Sequence, residues 1–447
     1  MNFKDLLPDV REAIEDGDDV RLDALFSEAR SADIAEVISH EDDDTALRVL
    51  ERLPLERRGR VFSYLPEGYQ RDIAIELDDA QLAQLFTQME PDDIADVLNF
   101  FPPVRREAIL RRVASSERAE IRHLASYDEG TAGALMTTDY VAVPQHLTVS
   151  EALSRVRQTA PDAETIYQIY FLDDALHLTG TMSLRQLILA DPQASLESIM
   201  ISDVISMGVD TPQEDVAKAI SRYDLLALPV VNQDRVLVGI VTYDDAMDVV
   251  ERETTDDFHK SGSVGSLVRG IGRSGLLHLY KSRVFWLVLL VFGNLFSGAG
   301  IAHFEDTISA HVALVFFLPL LIGSGGNAGS QAATLMVRGL GTGEVNIRDW
   351  TRLLGREVLV SALLGITMAI AISPISAFRG GFGVSEVVAI SMVVIVVCGS
   401  LLGMSLPFLL DRLKVDPATA SAPLVSTLCD CCGVLIYFSI ASMVLSL

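Results

Sequence analysis

No cysteine precedes Cys398 in this 447-residue chain; Cys398, Cys429, Cys431 and Cys432 all fall in apolar C-terminal segments. The first half therefore offers no disulfide framework. Basic residues are also scarce, 35 Lys and Arg against 61 Asp and Glu, for a net charge of −26. The imbalance is local: residues 1–260 hold 52 acids and 24 bases, residues 261–447 nine acids and eleven bases. A surface that acidic excludes nucleic acid as a partner, because phosphate binding needs cationic contacts. It suits cations, although a soluble, self-repelling surface would carry the same charge. The eight histidines are scattered, and no Ser/His/Asp, phosphate-loop or zinc-ligand spacing is present, so no enzyme is expected. No apolar run separates Met1-Asn2-Phe3 from the charges that follow, so no signal peptide is expected.

What the C-terminal half does contain is apolar length. Five stretches, 284–303, 309–337, 357–378, 386–410 and 423–447, each reach the roughly 20 residues needed to cross hydrocarbon. Arg269, Arg273, Lys281 and Arg283 precede the first. Arg338, Arg348, Arg352 and Arg356 follow the second, and Arg412 and Lys414 follow the fourth, with only Arg379 on the other side. The positive-inside rule then predicts a multi-pass protein of the cell (inner) membrane, its acidic half cytoplasmic and its C-terminus outside.

Two spans carry polarity. In the second, Asn327, Gln331 and Thr334 fall on one helical face within a run of glycines, and water in a pore would satisfy them. The small residues there also allow close helix packing. The fifth carries Ser426, Thr427, Asp430 and Gly433, and Asp430 is the sole charge in Pro423–Leu447. A carboxylate at that depth costs at least about 2.5 kcal/mol, so it marks an ion pathway by default. Gly293, Asn294 and Ser297 of the first span are assigned to helix packing. A two-fold dimer would bring two copies of Asp430 to one axis, matching a hard divalent ion that prefers oxygen and keeps its water. Thiolates select softer metals, but Cys429, Cys431 and Cys432 point around more than half a helix and cannot share one ion.

The acidic half contains two duplications. Asp33–Ile38 is echoed by Asp93–Leu98 within short proline-ended amphipathic stretches, which predicts an all-α stack of short helices. Asp92, Asp93 and Asp96 are expected to bring carboxylates one turn apart on an exposed face. Over 134–253, a strand-like Tyr140–Val143 and helix Val149–Gln158 are matched by Val204–Val209 and Gln213–Arg222. Paired strands then follow in Ile169–Met182 and Ala227–Val241. This β-α-β-β-α order resembles a tandem pair of cystathionine-β-synthase (CBS) domains. Such pairs often bind adenosine nucleotides through Thr/Ser-x-x-Asp after a strand. The second copy has that pattern in Thr242 and Asp245, whereas Ser183-Leu-Arg-Gln186 departs from it in the first. Acids at 245, 248, 251 and 253 share a face of the helix leading towards the membrane half.

The whole order resembles the MgtE family of magnesium channels or transporters, most specifically in Pro319…Gly325-Gly-Asn-Ala-Gly-Ser-Gln-Ala-Ala-Thr334 and Asp416-Pro-Ala…Asp430-x-x-Gly433…Tyr437-Phe438. The resemblance implies an acidic helical domain over 1–130, tandem CBS domains over 131–255, a connecting (plug) helix over 256–282 and a five-helix membrane domain over 283–447. It implies a homodimer in the lipid bilayer that imports Mg²⁺. It places the pore ion at Asp430, beside Asn327, Ser330, Thr334, Ser426 and Gly433. Cytoplasmic Mg²⁺ would close the channel through Asp92, Asp96, Asp224, Asp245, Asp248, Glu253, Asp256, Asp257 and Asp416, with ATP a second regulatory ligand. The chain departs from the family at Ser330, where a second asparagine is common, and at Ser421-Ala422-Pro423 in place of Ser-Gly-Pro. Two alternatives stay open on the sequence: an H⁺- or Na⁺-coupled carrier of divalent metals, Co²⁺ and Zn²⁺ included, and a metal- or nucleotide-sensing receptor that transports nothing.

Overall fold

Proline and aspartate punctuate the first 124 residues. Pro54, Pro66 and Pro102 stand in extended backbone at helix N-caps, and Pro91 and Pro103 open helices, positions where a missing N–H costs nothing. The Asp18, Asp42 and Asp78 side chains accept from first-turn N–H groups, Asp78 in a capping box with Gln81. The computed structural model, which describes residues 3–265 and 275–445, accordingly has ten short helices from Phe3–Asp16 to Ser115–Leu124. Alternate helices stack. Phe3–Asp16, Ser31–Ile38, Leu55–Ser63, Asp79–Phe86 and Pro103–Leu110 form one row; Asp43–Arg52, Glu67–Glu76, Pro91–Asn99 and Ser115–Leu124 form the other. Both copies of the Asp33–Ile38 motif bury the same four apolar positions, Ile34, Ala35, Val37 and Ile38 against Ile94, Ala95, Val97 and Leu98. The two-row stack is thus the repeat made physical.

The CBS duplication forms two three-stranded sheets. In the first, β1 (Tyr140–Pro144) pairs parallel to β2 (Thr165–Leu172), which pairs antiparallel to β3 (Leu178–Ser183). The second repeats this with β4 (Met207–Gly208), β5 (Ala227–Val231) and β6 (Leu237–Thr242). Of the expected Val204–Val209 strand only Met207–Gly208 is ladder-paired. The copies exchange lead-in segments: Thr137 bridges to Ile240 of the second sheet, and Ile201 to Thr181 of the first. The helical stack docks on the second copy through a shared core of Ala95, Leu124, Ala132, Met136, Val216 and Leu228. All of this lies in one compact unit, Met1–Glu253; the second is Thr254–Leu447.

In the second unit the apolar stretches are helices Leu276–His303, Ala313–Gly341, Trp350–Arg412 and Ala422–Val444. The 63-residue helix is no single rod, since Gly381 takes φ 80°, ψ 177°, backbone that glycine adopts freely. Beyond it the chain folds back. Ser376 Oγ donates to Ser385 Oγ at 2.9 Å, and a Cβ at Gly365 would lie 2.8 Å from Cα of Val393. In a straight helix Gly365 and Val393 would be separated by roughly 40 Å. The segment is therefore a hairpin, and five apolar helices result. The second expected span starts at Ala313, after a separate short helix Glu305–Ala310, because His311 leaves helical backbone. The connecting helix runs Tyr243–Ser261; the part of it expected over 266–274 lies outside the described residues.

Candidate functional site

The polar span packs through its glycines. A Cβ at Gly329 would lie 2.7 Å from the Gly399 carbonyl oxygen, and one at Gly403 would lie 1.9 Å from that of Gly329. Gly325 and Gly329 of Ala313–Gly341 therefore press against Gly399 and Gly403 of the hairpin, as small residues permit. That leaves Asn327, Gln331 and Thr334 exposed on the other side. Ser330, Gln331, Thr334 and Leu335 line an open surface depression of about 470 Å³.

The last helix meets this face closely. Ser426 approaches Gly326, Ser330 Oγ donates to the Ala422 carbonyl oxygen at 3.4 Å, and Thr334 Oγ1 donates to the Ser330 carbonyl oxygen at 2.8 Å. Asp430 is half-buried, two turns beyond Ala422; Gly433, one turn further, is buried beside Ile322 and Ile395. The three neighbouring cysteines diverge. Cys429 Sγ lies against Gly329 and the Gly399 carbonyl, whereas Cys431 Sγ contacts Gly293 O at 3.6 Å and accepts from Ser297 Oγ at 3.4 Å on the first helix. The Gly293 and Ser297 positions serve packing, as expected, and Cys429 and Cys431 contact different helices.

In the first unit, carboxylates converge from three distant stretches. Oxygens of Glu90, Asp92 and Glu164 lie within 4.8 Å of one another, and so do those of Glu164, Asp244 and Asp245. Glu90 and Asp92 flank the start of helix Pro91–Asn99, Glu164 immediately precedes β2, and Asp244 and Asp245 open the connecting helix. Asp92 is partly exposed as a side chain, but its Oδ1, like Oε2 of Glu164, is sealed from solvent without a hydrogen-bond partner. Burial, then the charges of Asp93, Asp245, Glu164 and Glu90, push Asp92 well above the usual carboxylate range. Burial and then Asp245 and Glu90 raise Glu164 to about 8. Burial raises Asp245 to about 7 although its bond from Thr242 opposes this. Like charges held this close, with oxygens left unpaired, favour bound protons or a cation, and an all-oxygen donor set fits Mg²⁺ or Ca²⁺.

Of the regulatory residues expected from the sequence, Asp92 and Asp245 enter this cluster, and Asp92 faces it rather than open solvent. Asp248 and Asp96 are exposed, both within electrostatic reach of Arg252. Glu253 accepts from Gln213 Nε2 at 2.9 Å. Asp224 is exposed at the end of helix Gln213–Tyr223 in left-handed backbone, φ 52°. Asp256 and Asp416 share Lys260, and Asp257 is also engaged. Glu90, Glu164 and Asp244 escape sequence reasoning, because nothing local in Ala163-Glu164-Thr165 marks a ligand. In the nucleotide candidate, Thr242 Oγ1 donates to Asp245 Oδ2 at 2.5 Å, so one carboxylate serves both candidate sites. Ser183 in the first copy bonds Gln186 instead, as a helix cap.

Fold and sites define a multi-pass helical membrane protein carrying an acidic helical domain and a CBS pair. Residues 318–440 match MgtE, described as a divalent cation transporter; residues 29–130 match the MgtE intracellular N domain and residues 196–252 a CBS domain. The chain is 39% identical over 442 residues to "Magnesium transporter MgtE" of Thermus thermophilus, covering 98% of each. It is 35% identical over 436 residues to the protein of the same name from Bacillus subtilis, covering 95% of this chain and 96% of that one. It belongs to the MgtE family. Among solved structures, the cytosolic domain of the Mg²⁺ channel MgtE in complex with ATP matches at 36% identity and TM-score 0.51, over 54% of this chain and 99% of that one.

Proposed function

We propose that this chain is a Mg²⁺ import channel that cytoplasmic Mg²⁺ closes. The observation carrying the reading is the carboxylate cluster, where helical domain and CBS pair meet with oxygens left unpaired. A divalent ion there would draw the two domains together; without it, the carboxylates repel to the extent that they have lost their protons. Differential affinity for the two arrangements is what lets an ion shift the population. The connecting helix begins inside that cluster, at Asp244 and Asp245, and runs on in sequence to Ser261.

Asp430 is the pore ligand in this reading, with Asn327, Ser330, Thr334, Ser426 and Gly433 around the path. In a homodimer two copies would offset a 2+ charge while the ion keeps its water. With the acidic half cytoplasmic, the membrane potential favours inward movement by about 2.3 kcal/mol per charge per 100 mV. ATP at Thr242 and Asp245 would act on the same cluster, because Asp245 belongs to both. Reconstituted into liposomes, the parent takes up Mg²⁺ without an imposed pH gradient, and Asp430→Asn lowers uptake at least tenfold. Uptake that requires the gradient would make this a coupled carrier. Uptake unchanged in Asp430→Asn would remove the pore assignment.

A further inference from the structure

The cysteines of the last helix face different neighbours, and one of them has a thiol partner on another helix. Cys429 Sγ sits 4.0 Å from the Gly399 carbonyl oxygen of the hairpin, and Cys431 Sγ turns to Gly293 and Ser297 of the first helix. Cys432 falls three residues beyond Cys429, on the side of its helix that meets the hairpin. Contacts fix the register there. Gly399 meets Cys429, and Ile395, one turn earlier, meets Gly433, one turn later. The two helices therefore run antiparallel, and Cys398 stands level with Cys432 to within roughly 3 Å along the axis. Both thiols are half-buried and free, and they lie within electrostatic reach of one another. Cys398 also opens outwards. With Val394, Val397, Leu401 and Ser405 it lines an apolar surface depression of about 490 Å³ on the hairpin.

We propose that Cys398 and Cys432 are a two-thiol site for a soft metal ion, and that metal held there pins the last helix to the hairpin and stops the pore. Hard ions such as Mg²⁺ seek oxygen, whereas thiolates select soft ones. A soft divalent ion bound by two thiolates forms an uncharged centre, which suits apolar surroundings where a lone charge is costly. The exchange balances without a redox step. Mercuric chloride gives up two chlorides, the two S–H groups lose their protons to water, and two metal–sulfur bonds form. Neutral mercuric chloride also enters hydrocarbon, so it reaches Cys398 through the depression. Cys432 lies two residues from Asp430, and fixing it restrains the helix that bears the pore carboxylate. The block rests on the pore reading above; the metal site does not.

The test adds mercuric chloride to the reconstituted full chain and follows metal bound, thiols consumed and Mg²⁺ uptake. The parent should consume two thiols with the first ion bound, lose Mg²⁺ uptake, and recover both when a dithiol is added. Cys398→Ser and Cys432→Ser each leave one anchor, so either should need on the order of a hundredfold more reagent for the same block. Cys431→Ser, whose thiol faces the first helix, should follow the parent. A parent that consumes one thiol per ion, or a Cys398→Ser or Cys432→Ser variant that still consumes two, would overturn the site. Paired binding in a parent that goes on taking up Mg²⁺ would overturn the block. A parent that takes up no Mg²⁺ before the reagent is added would overturn the transport reading instead, and its thiol count still decides the site.

Discussion

Glu164 and Asp245 hold protons to about pH 8 and 7, against ordinary carboxyl values near 4. Between those limits the folded unit binds more protons than the unfolded chain does. Its ion-free stability therefore falls as pH rises through that window. A divalent ion that takes the protons' place restores it and releases them. Protection of the full chain from a protease by millimolar Mg²⁺ should accordingly be several-fold larger at about pH 8 than at about pH 6. Protection equal at both, or greater at the lower pH, would mean that these carboxylates do not hold the ion. Asp430 stands out in the sequence as a candidate site because a lone carboxylate in an apolar span is costly to keep. Glu164 does not: it joins the carboxylate cluster only through neighbours about 70 residues before it and about 80 residues after it in sequence.

Elements were legible where one physical rule dominates. Proline and capping aspartates set the short helices, apolar length set the spans, and the repeated strand-helix order set both sheets. What escaped is how elements are fastened to one another. Side chains of the helical stack reach back to the ends of preceding helices, among them Arg58 to Glu51 and Leu53 carbonyls, Gln70 to Phe62 and Ser63, Arg106 to Asn99 and Phe101, and Arg118 to Arg111 and Val113. Cations near a helix C-terminus satisfy its orphan carbonyls, so these three arginines are occupied in capping rather than in neutralising the acid cluster. Glycine spacing in the polar span signalled close packing but not its partner, which the hairpin at Gly381 supplies. Gly403→Ala should destabilise the detergent-solubilised protein by about 2–4 kcal/mol in thermal or chemical unfolding, since the added methyl meets a backbone carbonyl that cannot yield. Gly323→Ala, with nothing within 4 Å, is the control that should change little. Equal effects would show that the glycine contact does not set the packing.

Across the whole chain, charge is divided by task. Residues 1–260 carry the 52 acids, and the apolar helices beyond carry one deep carboxylate in the last span. The first part gathers five of its carboxylates where two domains meet, and the second keeps a polar face and Asp430 on adjoining helices. The proposed account joins these through the connecting helix, with the cluster as the metal sensor. Its central claim is that the cluster, including residues no motif marks, sets the Mg²⁺ level at which the pore closes. The most direct measurement is Mg²⁺ flux through the reconstituted channel against cytoplasmic-side Mg²⁺, for the parent and for Asp92→Asn with Glu164→Gln. Closure of the double variant should require about tenfold more Mg²⁺, or be lost, with flux at low Mg²⁺ preserved. A closing curve that superimposes on the parent's would contradict the account.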